Sequence, residues 1–385
     1  MPRVVTAPLA GAGAAAGANA VREAVQQAVD DLAVAPGLVL AFPAASLESR
    51  SVVEQAADAA GGAPVVGMTS NGEIGHAGPS EDGCSALALD TSLDFGIGLA
   101  SGASHDPLAA GRTAAATAFA RLPDRTGHRL LLLFIDPRSG DQAQVIAGAY
   151  EITGGGVPFA GGAAGGSDGV QLAHGAAHRD SVVAVAVRSS RPIGVGMANG
   201  CRPRMVPSIV TRAEGRTILQ LDGRPADQVY LEKLARMDEV LSDDQFETLA
   251  VMHPLAQPEL GGDVRLRHVM GRTPDGGLAC ATPVPVNAAV GFTEQTAEAI
   301  VYSAGEAVIR ALAPLDGDQA RAALVFDCAG RKRALNGDLE LEVEAIVDAF
   351  DCPLPLAGVY THGEIGRVRG AKGDRNHALV IVAFA

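Results

Sequence analysis

Three apolar runs of strand length punctuate the chain: GLVLAF at 37–42, LLLFID at 131–136 and ALVFD at 323–327. The apolar residues are continuous instead of alternating, which predicts strands covered on both faces. Each run leads into a helical pattern. The first spans 47–60 and stops at Gly61 and Gly62. The second opens on Asp141 with Gln144 three residues on, followed by Val145, Ile146, Ala149 and Ile152. The third places Leu339, Val343, Ile346, Val347 and Phe350 at helical spacing behind Asp338. A Pro-x-x-Gly strand then follows in each case, as PVVG, PFAG and PLAG. Strand, helix and strand at this spacing predict βαβ crossovers with parallel strands. The runs CSALAL, SVVAVAV and HALVIVAF predict further strands, the first two continuing into the matching peptides FGIGLASG and IGVGMANG. Residues 265–281 read as a hairpin turning over Pro274 to Gly277, and residues 294–312 as a helix with Ile300, Val301, Ala304, Val308 and Leu312 on one side.

The same strands carry a repeat. GMTSNGEIG at 67–75 returns as GVYTHGEIG at 358–366, and PFAGGAAGG supplies a partial third copy between them. The expected architecture is α/β: two lobes built from repeated βαβ units with additional antiparallel strands. Residues 1–20, rich in Ala and Gly, read as a flexible tail leading into a helix. Residues 21–200 form a first lobe and 201–385 a second, with the boundary set where the more polar segment 201–247 interrupts the pattern.

Composition narrows the function classes. The chain has 385 residues, room for roughly two to three domains, and a formal net charge of −14 with no basic stripe interleaved with aromatics, which argues against a nucleic-acid partner. No apolar stretch approaches the ~20 residues of a membrane helix. The N-terminus lacks the strongly apolar centre of a secretory signal. Five cysteines, odd in number and without a C-x-x-C pair, fit a reducing compartment, so a cytoplasmic location is expected.

In the motifs GMTSNGEIG, GGAAGG, VTRAEGRTILQLDGRPA at 210–226, LVFDCAGRK and GVYTHGEIG, the chain resembles FIST-domain proteins from about residue 20 to its end. The resemblance implies a non-enzymatic sensory module that binds a small ligand, amino acids being the usual suggestion. Some bacterial relatives bind haem and report nitric oxide to a kinase. With no kinase, cyclase or F-box segment expected here, the output partner would be a separate protein, and a homo-oligomer is compatible.

The candidate ligand-binding residues cluster on the turns after the last parallel strands, since ligands in open parallel sheets sit beyond the carboxyl ends of the strands. They are Asp327, Cys328 and Arg331 on one turn and Tyr360, Thr361, His362 and Glu364 on the next, with Asn71 and Glu73 in the other copy of the repeat. Arg331 would fork onto a ligand carboxylate and Glu364 would meet its ammonium group. The competing readings are that Glu73 and Glu364 hold their own turns, and that Arg331 pairs with an acid such as Glu344. A Cys328 nucleophile with His362 as base lacks an orienting third group, so no catalytic residue is assigned. GGAAGG is expected to serve close backbone packing rather than phosphate binding. No metal site is assigned; His174 and His178 share a loop expected to be exposed, in a spacing too weak to argue one. No cofactor is expected on the main reading, and the haem alternative would draw its axial ligand from His253, His268, His362 or His377.

Overall fold

The computed structural model describes residues 8–123, 125–138, 141–237, 246–259 and 264–385. Three units of the same design build its core. The first comprises β1 (Ala10–Ala16), α1 (Ala20–Leu32), β2 (Pro36–Pro43), α2 (Ser49–Ala59), β3 (Val65–Met68), the hairpin β4 (Glu73–Gly75) and β5 (Gly78–Ser80), and β6 (Gly83–Asp90). The second repeats this order as β7 (Asp94–Ser101), α3 (Pro107–Phe119), β8 (His128–Ile135), α4 (Gln142–Thr153), β9 (Phe159–Ala163), the hairpin β10 (Gln171–Ala173) and β11 (Ala176–His178), and β12 (Ser181–Ser189).

The third unit starts at β13 (Ile193–Ala198) and is interrupted by an inserted sheet. That insert holds β14 (Cys201–Pro203), β15 (Ser208–Glu214), β16 (Thr217–Leu221), β17 (Arg224–Pro225), α5 (Ala226–Ala235), α6 (Phe246–Met252), β18 (Leu255–Pro258), β19 (Val264–Arg267), β20 (Val269–Arg272), β21 (Leu278–Cys280) and β22 (Ala289–Gln295). The unit resumes with α7 (Ala297–Leu312), β23 (Ala322–Cys328), α8 (Ala329–Leu335), α9 (Leu339–Ala349), β24 (Leu356–Thr361), the hairpin β25 (Glu364–Arg367) and β26 (Asp374–Arg375), and β27 (Leu379–Phe384).

The units exchange hairpins cyclically. The three six-stranded sheets run β1-β6-β2-β3-β10-β11, β7-β12-β8-β9-β25-β26 and β13-β27-β23-β24-β4-β5, so each sheet ends in the hairpin of another unit. The predicted parallel pairs are β2 with β3, β8 with β9 and β23 with β24. Alternate residues of the continuous apolar strands explain their composition. Leu38, Leu40 and Phe42, Leu130, Leu132 and Phe134, and Leu324 and Phe326 face one shared centre. The residues between them face α1 and α2, α3 and α4, or α7 and α9. At the centre Phe42, Phe134 and Phe326 meet with ring centroids 5.9, 6.0 and 6.2 Å apart, one ring from each unit.

Two expectations are corrected. Ala10–Ala16, read as tail, is strand β1, antiparallel to β6. Its composition hides it because Gly and Ala are poor strand formers. The glycines are required by packing: a Cβ at Gly11 would sit 2.2 Å from the Ala28 carbonyl oxygen, and one at Gly13 2.1 Å from that of Ala24. The same Gly-x-Gly recurs at Gly96 and Gly98 and at Gly194 and Gly196, letting α1, α3 and α7 rest against strand backbone. The second concerns the boundary at residue 200, which strand pairing crosses. β13 lies before the expected boundary yet pairs with β27, and β4 pairs with β24. Residue 201 marks the start of the insert, after which the chain returns to the common core.

Candidate functional site

In the third sheet, the turns after β23 and β24 do converge as the crevice rule predicts, but protein atoms fill the space between them. Arg331 is fully buried. Its Nε lies 3.0 Å from Asp327 Oδ1, its Nη1 donates to Ser303 Oγ at 3.1 Å, and its Nη2 pairs with Glu342. Burial, then the charge of Glu342, push the Asp327 carboxyl well above its usual range despite the guanidinium. Two carboxyls and one guanidinium thus share one buried cluster. The expectation that Arg331 grips a ligand is thus corrected: its partners are Asp327 and Glu342, and the suggested Glu344 is not among them.

The neighbouring candidates are equally engaged. Cys328 caps α8, its Sγ accepting from the Gly330 and His377 amides at 3.3 Å each, and burial drives its thiol pKa far upward. That is the opposite of an activated nucleophile. Glu364 is fully buried, its Oε2 accepting from the Ala378 amide at 3.1 Å and its Oε1 lying 3.0 Å from Thr361 Oγ1. Lys332 closes the entrance by donating to the Asn71 carbonyl at 2.8 Å, 5.3 Å above the Tyr360 ring. Of the nine candidates only His362 is exposed.

The repeat shows what the glutamates do. Glu73 Oε2 accepts from the Gly83 amide at 3.1 Å, as Glu364 does from Ala378, and in the second unit Gln171 Oε1 accepts from Ser181 Oγ at 2.6 Å. In all three units this position ties the hairpin to the start of the last strand. The turn-holding alternative therefore accounts for both glutamates. Burial pushes the Glu364 carboxyl up to about 7. Because the folded value lies above the unfolded one, the folded state binds the extra proton, and this group's contribution to stability falls as pH rises from about 4.5 to about 7. Thermal melts across that window should show the slope in the parent and its loss in Glu364→Gln; an unchanged slope would place Glu364 in water.

A residue one or two positions before each last strand is left-handed: Asp82 at φ 56°, Asp180 at 48° and His377 at 52°. Only the third unit has histidine there. Gln295 Nε2 donates to the Asn199 carbonyl, so its Oε1 accepts from His377 Nδ1 at 2.9 Å, and His377 Nε2 accepts from His268 Nδ1 at 2.8 Å. Burial lowers both histidines, His268 to about 4. His253 is buried with Nδ1 on the Thr293 carbonyl at 2.8 Å. None of His253, His268, His362 and His377 lines either cavity described below, so neither cavity offers an imidazole to haem iron.

The crevice that is plugged in the third sheet is open in the first. There the segments that follow β2 and β3, helix α2, the turn before β10 and strand β11 border a cavity of about 660 Å³. The glycines of the 165–170 turn lack side chains to fill it; Gly165 is held so close that a Cβ would meet the Ser70 carbonyl carbon at 2.2 Å. This is the close packing expected of GGAAGG. Glu48 caps α2 through the Arg50 and Ser51 amides, so the helix start is already satisfied. The remaining charges are Arg50 paired with Glu54 at 2.8 Å, Asp168, which lies 3.8 Å from Arg138, and Arg179, which has no ion-pair partner among the described residues. A second, larger cleft of about 1180 Å³ lies between the insert and the third unit. Sequence reasoning named neither set of lining residues, because Arg179 and Asp168 come from a different unit than α2.

Comparison with known proteins matches the FIST N domain over residues 37–224 and the FIST C domain over residues 226–367. The chain belongs to the FIST family, whose domains are sensory, signal-transduction modules of a non-enzymatic type. It is 34% identical over 179 residues to the uncharacterized protein Rv0628c of Mycobacterium tuberculosis, covering 45% of this chain and 46% of that one. It is 33% identical over 198 residues to the uncharacterized protein Mb0898c of Mycobacterium bovis, covering 49% of each. The chain thus spans about half the length of the curated relatives it matches. Among the described residues no helix is long and apolar enough to cross a membrane, and no cluster of His, Cys, Asp and Glu suits a metal ion.

Proposed function

We propose that this protein is a cytoplasmic sensor whose first-sheet crevice binds a small zwitterionic metabolite, an amino acid or a close analogue, and reports occupancy to a separate signalling protein. The observation that carries the reading is the presence in one open crevice of a guanidinium without an ion-pair partner among the described residues, Arg179, together with the carboxylates of Glu54, paired with Arg50, and Asp168, 3.8 Å from Arg138. Arg179 suits the ligand carboxylate and the acids its ammonium group. The walls come from two units, α2 from the first and the hairpin β10–β11 with its preceding turn from the second. A ligand that prefers the walls drawn together stabilises that arrangement in proportion to its differential affinity.

A thermal-shift panel of the amino acids tests this, since a ligand at about 100 times its Kd adds about 2.7 kcal/mol of stability. Arg179→Ala should abolish the shift and leave the melting temperature of the free protein unchanged, the side chain being exposed. A shift that survives in Arg179→Ala, or a panel without a single shift, contradicts the assignment. Haemin belongs in the same panel: a Soret band lost on replacing one histidine would favour the haem reading instead.

A further inference from the structure

We propose that the larger cleft is a docking groove for an acidic, extended segment of a partner protein, which adds as a strand to the free edge of β13. The proposal does not depend on the zwitterion site.

β13 is the outermost strand of the third sheet and pairs only with β27 among the described strands. Pro192 accepts from the Ala385 amide at 3.2 Å, and antiparallel pairing alternates, so residues 194, 196 and 198 bond inward to β27. The backbone groups of Ile193, Val195 and Met197 then point away from the sheet. Arg310 supports that parity by donating to the Met197 carbonyl at 2.8 Å from the facing helix. The Val195 N–H and C=O and the Met197 N–H remain, and both residues line the cleft. An unpaired edge is what a peptide in β-conformation completes.

The walls select the peptide's chemistry. Ala299, Tyr302, Glu306 and Arg310 recur every three or four residues, so one stripe of α7 faces the cleft while Ile300, Ala304, Ala307, Val308 and Ala311 face the core. Arg202, Arg369 and Lys372 also line it, and none of the three has an ion-pair partner among the described residues. Glu259 is spent on Arg265 at 2.7 Å and Arg375 at 3.0 Å, leaving Glu306 as the one free acid among the described lining residues. In a chain of net charge −14 this local surplus of cations is unlike the average surface. Tyr302, 68% exposed, and Val368, 40% exposed, add apolar surface to the lining. A strand with acidic and apolar side chains alternating would turn one kind to each of its own faces. At about 1180 Å³ the cleft also exceeds the ~300–1,000 Å³ usual for small-molecule pockets.

Fluorescence anisotropy on the full chain with a labelled peptide of alternating Glu and Val, about nine residues long, tests the proposal, with the Gln-for-Glu peptide as control. The acidic peptide should bind at least about tenfold tighter than the control and weaken with salt. The double variant Arg202→Glu/Lys372→Glu, on exposed positions, should reduce binding at least about tenfold with no change in melting temperature. Hydrogen exchange at the Val195 and Met197 amides should slow on binding. Equal binding of the Gln peptide, indifference to charge reversal, or unaltered exchange on β13 would each overturn the idea. So would displacement by free glutamate or inorganic phosphate at the peptide's own concentration, which would assign the cleft to small anions. Arg179→Ala should leave peptide binding intact, so the two sites fail or stand separately.

Discussion

Arg331→Ala is expected to destabilise the protein by about 3–5 kcal/mol, the cost of leaving a buried charge without its partner. The side chain is fully enclosed, and its removal leaves Asp327 and Glu342 facing each other with no cation between them. Burial already raises the Asp327 carboxyl, and losing the guanidinium removes a cause that lowers it, so the loss should grow as pH rises through the carboxylate range. Urea unfolding read at several pH values measures this directly. Replacing Asp327, Arg331 and Glu342 together by apolar residues of similar volume should recover most of the loss, because burying the whole cluster is itself costly. An Arg331→Ala variant within about 1 kcal/mol of the parent would mean that solvent reaches the cluster and that the crevice is not closed. If the variant remains folded, its amino-acid shift should persist, since the open crevice lies in another sheet.

Phe326→Ala should cost a similar amount, about 3–5 kcal/mol, by opening a cavity that the surrounding strands cannot collapse to fill. Its ring touches those of Phe42 and Phe134 where all three sheets meet, so no one unit can relax without the other two. Phe42→Ala and Phe134→Ala should behave alike, and the double variants should cost less than the two single losses added, because each pair shares one cavity. Denaturant midpoints with an unchanged m-value would report the effect as stability alone. A Phe326→Ala variant that loses less than about 1 kcal/mol would contradict a shared centre.

Local pattern carried the parallel pairs and their helices. Continuous apolar runs mark a strand buried on both faces wherever it lies, and Leu132, Phe134 and Leu324 are buried as that pattern demands. The repeated Pro-x-x-Gly strands marked three related units before any contact was known. β1 was illegible for the converse reason: Gly11 and Gly13 are there to admit the backbone of α1, a requirement set by a neighbour and absent from strand propensity.

The candidate site shows the same division. Its residue types and their convergence followed from the order of strands and turns, and Asp327, Cys328, Arg331, Thr361 and Glu364 do lie together. Whether they enclose space could not follow, because the groups that fill it come from elsewhere: Ser303 from α7, Glu342 from α9, and Lys332 reaching to Asn71 of the first unit. The sequence by itself determined the units, their strands and the places where turns gather. Only the tertiary structure decided that the crevice of the first sheet is open and that of the third is filled. Hairpins exchanged between distant units supply the lids, and a periodic pattern records what a segment buries but not which partner covers it.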